Sequence, residues 1–217
     1  MIFYDIHSHQ LFDNKDIVTI KSIDLGVVED IVPIKDEIIH QKDALFSVGI
    51  HPWNPDRDKI LELRELLRLE NVVAIGEAGL DKLKPDLTIQ RQLFEIQAQI
   101  AEETGKPLII HCVKAWSELL ETKKRLKPST IWIVHGFRGG EKLAEQLIDA
   151  GMYLSFGAFF NPESLKKAWQ AKRLFVETDD KPIDIQDVYA KISKTLSISP
   201  AELSGELAKN FYLCALK

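Results

Sequence analysis

The chain has 217 residues and only two cysteines, Cys112 and Cys214. Two thiols cannot make a disulfide framework, and they suit a reducing compartment. No apolar run approaches 18 residues, so no membrane-spanning helix is expected. A basic segment followed by an apolar one is missing from the N-terminus, so no secretory leader is read and the expected location is cytoplasmic. Positive charge is not in excess. The net charge is −5, which excludes a surface built for tight, indiscriminate polyanion binding. It leaves room for a small phosphate-bearing substrate held by metal. Repeats, low-complexity tracts and Pro/Gly-rich linkers are also lacking, so residues 1–217 read as one domain. Nothing points to an obligate protein partner, and no oligomeric state is legible.

What is present is a series of β-like runs that end on imidazoles and acids. The runs are Ile2–His7, Ile17–Leu25, Leu45–Gly49, Val72–Glu77, Pro107–Cys112, Ile131–His135, Met152–Phe156 and Leu174–Thr178. The later ones are nearly continuous in apolar residues, as in a parallel sheet buried on both faces. Helical periodicity lies between them, at Lys59–Leu69, Thr88–Thr104, Ala115–Leu126, Gly140–Ala150 and Pro162–Ala171. The tail, Asp187–Leu216, reads as two helices broken at Ser197-Ile198-Ser199-Pro200, with Ser199 as N-cap. Strand–helix–strand units imply right-handed parallel crossovers, and eight of them imply an α/β fold, a distorted (β/α)8 TIM-type barrel. Only seven residues separate His9 from Ile17, too few for a helical crossover. The first crossover helix is therefore expected to be missing, with run 17–25 antiparallel or outside the regular barrel. Mostly loop is expected from Gly26 to Leu45, with a short helix near Asp36–Gln41.

His7 and His9 share a face by strand alternation. Glu77, His111, His135 and Asp179 follow at the ends of later runs. Imidazole and carboxylate donors without thiolate favour zinc, manganese or magnesium. Six donors exceed the need of one ion and suit two divalent ions, with Glu77 as the shared carboxylate and Asp179 also accepting a proton. Glu177 shares the face of Asp179, but its place relative to the strand end favours Asp179. His51, Lys114 and Arg138 are candidates for substrate contact, each weighed against an ordinary loop role. Trp53 is more readily a half-buried loop residue than a stacking surface. His40 is read as a plain surface histidine and Cys112 as core.

These residues sit in pieces that resemble the TatD-like metal-dependent hydrolases. The pieces are Asp5-Ile6-His7-Ser8-His9, Ser47-Val48-Gly49-Ile50-His51-Pro52, Ala74-Ile75-Gly76-Glu77-Ala78-Gly79-Leu80-Asp81, Pro107-Leu108-Ile109-Ile110-His111, Val134-His135-Gly136-Phe137 and Leu174-Phe175-Val176-Glu177-Thr178-Asp179, closed by Asn210-Phe211. The resemblance runs nearly end to end. It implies a TIM-like barrel, a dinuclear divalent site and phosphodiester hydrolysis, commonly of DNA, so the substrate expected is a DNA end or a small phosphate compound. By position it implies one metal site at His7, His9, Glu77 and Asp179, and a second at Glu77, His111 and His135. The flanking residues differ from the usual family motifs. Lys82 replaces a Tyr, Cys112-Val113-Lys114 replaces Ser-Arg-Asp, and Gly136-Phe137-Arg138 replaces Cys-Phe-Ser. The same ligands serve a hydrolase of amides, lactones or phosphomonoesters. A barrel without catalysis is a third reading, which the retained ligands oppose.

Overall fold

The computed structural model describes residues 1–215. Among them, eight strands form one sheet in sequential order, β1 to β8. They are β1 (Phe3–Ser8), β2 (Ile17–Asp24), β3 (Leu45–Gly49), β4 (Val72–Asp81), β5 (Leu108–Val113), β6 (Trp132–Val134), β7 (Tyr153–Phe156) and β8 (Leu174–Val176). A parallel bridge from Ser8 to Asp179 brings the end of β1 beside the segment after β8, so the first and last strands are neighbours. This is the α/β barrel architecture of the TIM type. Helices follow every strand except the first: α1 (Ile31–His40), α2 (Ile60–Leu66), α3 (Leu87–Thr104), α4 (Trp116–Leu126), α5 (Glu141–Asp149), α6 (Pro162–Gln170), then α7 (Ile185–Leu196) and α8 (Pro200–Ala215).

Two expectations need correction. The segment 17–25 is not antiparallel. The Phe3 amide, at the start of β1, donates to the Asp16 carbonyl just before β2 (2.8 Å), so the two strands begin at the same end. No helix is needed for that return. Eight residues (9–16) reach about 26–29 Å when extended, and a six-residue strand spans roughly 20 Å. The second correction is α1, which fills ten residues rather than a short piece of loop. Asp30 caps it, accepting from the Val32 amide, and Pro33 falls in the first turn, where its missing N–H costs no bond. The expected tail helices form as α7 and α8. Ser199 accepts the Glu202 amide at 3.1 Å. The last residue of that expectation, Leu216, lies outside the described residues.

By packing, the chain divides into two compact units: Met1–Ile20 with Ile133–Lys217, and Lys21–Trp132. In the first, α8 packs on β1. Tyr4 stacks near Phe211 (5.1 Å between ring centroids), and Ser204 Oγ donates to the Ile2 carbonyl (2.6 Å). Asn210 donates its amide to the Leu174 carbonyl at the head of β8 (2.9 Å), and Tyr189 of α7 takes the Tyr4 amide (2.7 Å). In the second, β3, β4 and β5 lie parallel, and every residue of β4 is buried. The α3 face carrying Leu93 and Phe94 covers them. That face also brings in Gln90 and Gln97, seven apart and hence on one side of the helix. Gln97 clamps both backbone groups of Ile50 (2.8 and 3.0 Å), and Gln90 does the same for Asp81 (2.8 and 3.2 Å). Two buried amides thus fix the C-terminal ends of β3 and β4, where the functional side chains emerge.

Candidate metal centre

In the first unit, β1 ends on His7 and His9, and the chain leaving β8 supplies Asp179. Asp179 Oδ1 lies 3.6 Å from His7 Nε2 and 3.7 Å from His9 Nε2. His135 joins from the end of β6. Its ring centroid is 4.5 Å from that of His7, and its Nδ1 is 3.6 Å from Glu177. Asp179 adopts φ 59°, a left-handed conformation that Asp tolerates better than most side chains. The turn is held from below by Asp5, which accepts from Thr178 Oγ1 (2.7 Å) and the Thr178 amide (3.2 Å). Burial raises the Asp5 carboxyl to about 7, against the opposing pull of the Thr178 hydrogen bonds.

Glu177 takes a larger part than strand position gave it. It is 1% exposed, and its Oε1 accepts the Gly136 amide at 2.6 Å. Gly136 has φ 59°, a conformation a glycine adopts without strain, and the turn points its N–H at the carboxylate. The other Glu177 oxygen is buried without a hydrogen-bond partner. The legible signal was the shared face of Glu177 and Asp179. What hid the outcome is that β8 stops at Val176, so both acids belong to the turn beyond it.

In the second unit, Glu77 stands between two imidazoles: Oε2 is 3.5 Å from His51 Nε2 and 3.4 Å from His111 Nδ1. Glu77 does not end β4, as its run suggested. The strand continues to Asp81, paired with β5, and its register slips between Ile75 and Ala78. Irregularities of this kind re-aim a side chain at functional places. Gly79 is demanded by closeness, since a Cβ there would fall 1.9 Å from the His111 carbonyl oxygen. Asp81 lies 3.6 Å from His111 Nε2 and accepts Trp53 Nε1 at 2.7 Å. Burial would raise the Asp81 carboxyl, but the Leu83 amide, Trp53 and His111 together hold it below its usual range. His51 is buried, and its Nδ1 accepts the Trp53 amide (3.1 Å). The structure thus brings His51 beside Glu77 and His111.

Other candidates fall outside these groups. Lys114 is exposed on the turn after β5 and pairs with none of these carboxylates. Arg138 is exposed, with its guanidinium 5.8 Å from the Phe159 ring. Trp53 is half exposed and held by Asp81, with Lys84 over its ring at 4.3 Å. His40 bonds the Asp36 carbonyl on the surface. Burial pushes the Cys112 thiol up to about 12, which leaves it a packing residue.

Within each unit the donor sets fit a divalent ion. His7, His9 and Asp179, then His135, Glu177 and Asp179, and in the other unit His51, Glu77 and His111, each offer atoms within 4.8 Å of one another. Donors at 2.0–2.2 Å from one ion stand roughly 3.0–3.6 Å apart. The separations of 3.4–3.7 Å match that spacing.

Comparison with known proteins agrees. Residues 10–214 match the model of the TatD related DNase family. The chain belongs to the TatD family. It is a metal-dependent hydrolase: YcfH of Escherichia coli (strain K12), named as one, is 30% identical over 201 residues, covering 82% of this chain and 76% of that protein. The human 3'-5' RNA nuclease TATDN2 is 35% identical over 162 residues, 66% of this chain and 21% of that protein. The fold matches the crystal structure of YJJV, a TatD homologue from Escherichia coli K12, with TM-score 0.83 and 21% identity, covering 98% of this chain and 97% of that one. No helix of the described TatD chain is long and apolar enough to cross a membrane.

Proposed function

We propose that this TatD-family hydrolase is a phosphodiesterase acting on nucleic-acid strands or small nucleotide esters, with His7, His9, His135 and Asp179 in one unit and His51, Glu77 and His111 in the other each offering ligands to a divalent ion. The observation that carries the reading is the spacing of imidazole and carboxylate donors at strand ends, 3.4–3.7 Å apart. The human relative, a 3'-5' RNA nuclease, supports a nucleic-acid substrate. Zinc, manganese or magnesium held there would lower the pKa of water and place positive charge against the phosphate. The chain supplies the rest. Asp179 takes the proton of the attacking water, which adds to phosphorus. The P–O ester bond breaks, and its oxygen leaves as the alcohol with the proton that Asp179 took up, which frees the carboxylate again. Glu177, fixed by the Gly136 amide, keeps the His135 ring oriented.

The test is a substrate panel: a single-stranded oligonucleotide, bis(p-nitrophenyl) phosphate, p-nitrophenyl phosphate and a simple lactone, with Mn²⁺ or Zn²⁺ added or chelated. Cleavage of the two diesters that stops with chelator and returns with metal is expected. Turnover of the lactone or the monoester alone would sink the phosphodiesterase reading and leave a hydrolase of another bond.

A further inference from the structure

A recess opens beside the turn after β8, walled by Arg138, Phe159, Glu177, Asp179 and Lys181 with Gly157 between them. Its composition is uneven. One wall is the pair of acids already placed in the candidate metal centre. The lining also includes cations that this centre does not use. Arg138 is exposed and has no carboxylate partner among the described residues. Lys181 pairs only with its exposed neighbour Asp180. Such a surface pair is worth little, so Lys181 remains available to another anion.

Phe159 completes the recess and is 61% exposed, although the same recess reaches the buried Glu177. Its loop is tied down. Lys191 donates to the Ala158 carbonyl (2.6 Å) and stands 5.4 Å from the Phe159 ring, while Arg138 stands 5.8 Å from it. A held aromatic ring open to solvent is a stacking surface for a base, and a guanidinium beside it suits phosphate. The acids alone would repel an anion. Arg138 and Lys181 offset that repulsion on the side where a substrate chain would continue.

We propose that Phe159 is the base-stacking residue, and Arg138 with Lys181 the phosphate clamp, for the nucleoside adjoining the bond cut by this enzyme. The assignment rests on the phosphodiesterase reading above. It gives Arg138, on the loop that follows β6, a role in holding the substrate's phosphate.

The experiment compares a dinucleotide with the same compound lacking one base, using the metal-loaded enzyme and its Phe159→Ala, Phe159→Trp and Arg138→Ala variants. Each altered side chain is exposed, and a thermal melt confirms folding. Phe159→Ala is expected to raise KM for the dinucleotide about tenfold, as for loss of one stacked base. It should leave KM for the abasic compound unchanged, with kcat little altered on either. Phe159→Trp should restore the dinucleotide value. Arg138→Ala should raise KM on both compounds. If Phe159→Ala acts equally on both, or on neither, the stacking assignment is wrong while the phosphodiesterase reading stands. If the unaltered enzyme cleaves neither, that reading fails and takes this assignment with it.

Discussion

Glu177 and Asp179 sit two positions apart beyond β8 and do different work. Asp179 faces two imidazoles, whereas Glu177 holds a backbone amide and a third imidazole. Asp179→Asn keeps the shape but removes the proposed base. It should lower kcat about 10²–10³-fold, measured by steady-state kinetics on a diester. Asp5 is a structural acid beneath them. It is fully buried and spends its acceptors on Thr178 and on the His7 amide (3.3 Å). Asp5→Ala leaves those donors unmatched and should cost about 2–4 kcal/mol by urea unfolding. No loss of stability would show that the turn carrying Asp179 stands without it.

Among elements, α3 illustrates what sequence reveals and conceals. Its span was legible as the periodic stretch Thr88–Thr104, and Gln97 lies on the same side as Leu93 and Ile100. Its partner, the backbone of Ile50, was not legible, because a helix pattern does not say which loop meets its polar position. The consequence is testable. Gln97→Leu strands a buried amide and carbonyl and should destabilise by about 2–4 kcal/mol in chemical unfolding. β4 teaches the converse. Its apolar run was visible, yet the strand outlasts it by four residues, since Ala78, Gly79, Leu80 and Asp81 pair with β5 without needing an apolar pattern. Likewise His51 was left between substrate contact and loop. Sequence spacing alone does not bring residues 51, 77 and 111 to within 3.5 Å, whereas adjacent parallel strands do. At Gly79 there is no room for a methyl group. Gly79→Ala should displace His111 and abolish activity, with a fall in melting temperature to match.

For the whole molecule, the barrel was readable because eight apolar runs alternate with helical periodicity, most of them followed by an imidazole or an acid, and strand order follows chain order. The missing helix after β1 was readable from chain length, but the direction of β2 was not, since periodicity carries no orientation. If ions occupy the donor clusters, they bind the folded state. At a hundredfold excess over Kd a single site adds about 2.7 kcal/mol. A chain of this size should then melt roughly 5–10 °C higher with metal than with chelator. Scanning fluorimetry would show this, and His7→Ala should blunt it.

The helix-free return from β1 also has a bearing on how the protein comes into being. Its outer cover is α8, through Phe211 on Tyr4 and Ser204 on Ile2. β1 is therefore clothed by a helix about 200 residues further along the chain. Until α8 docks, Tyr4 lacks its Phe211 neighbour, and the sealing of β1 waits on a contact far away in sequence.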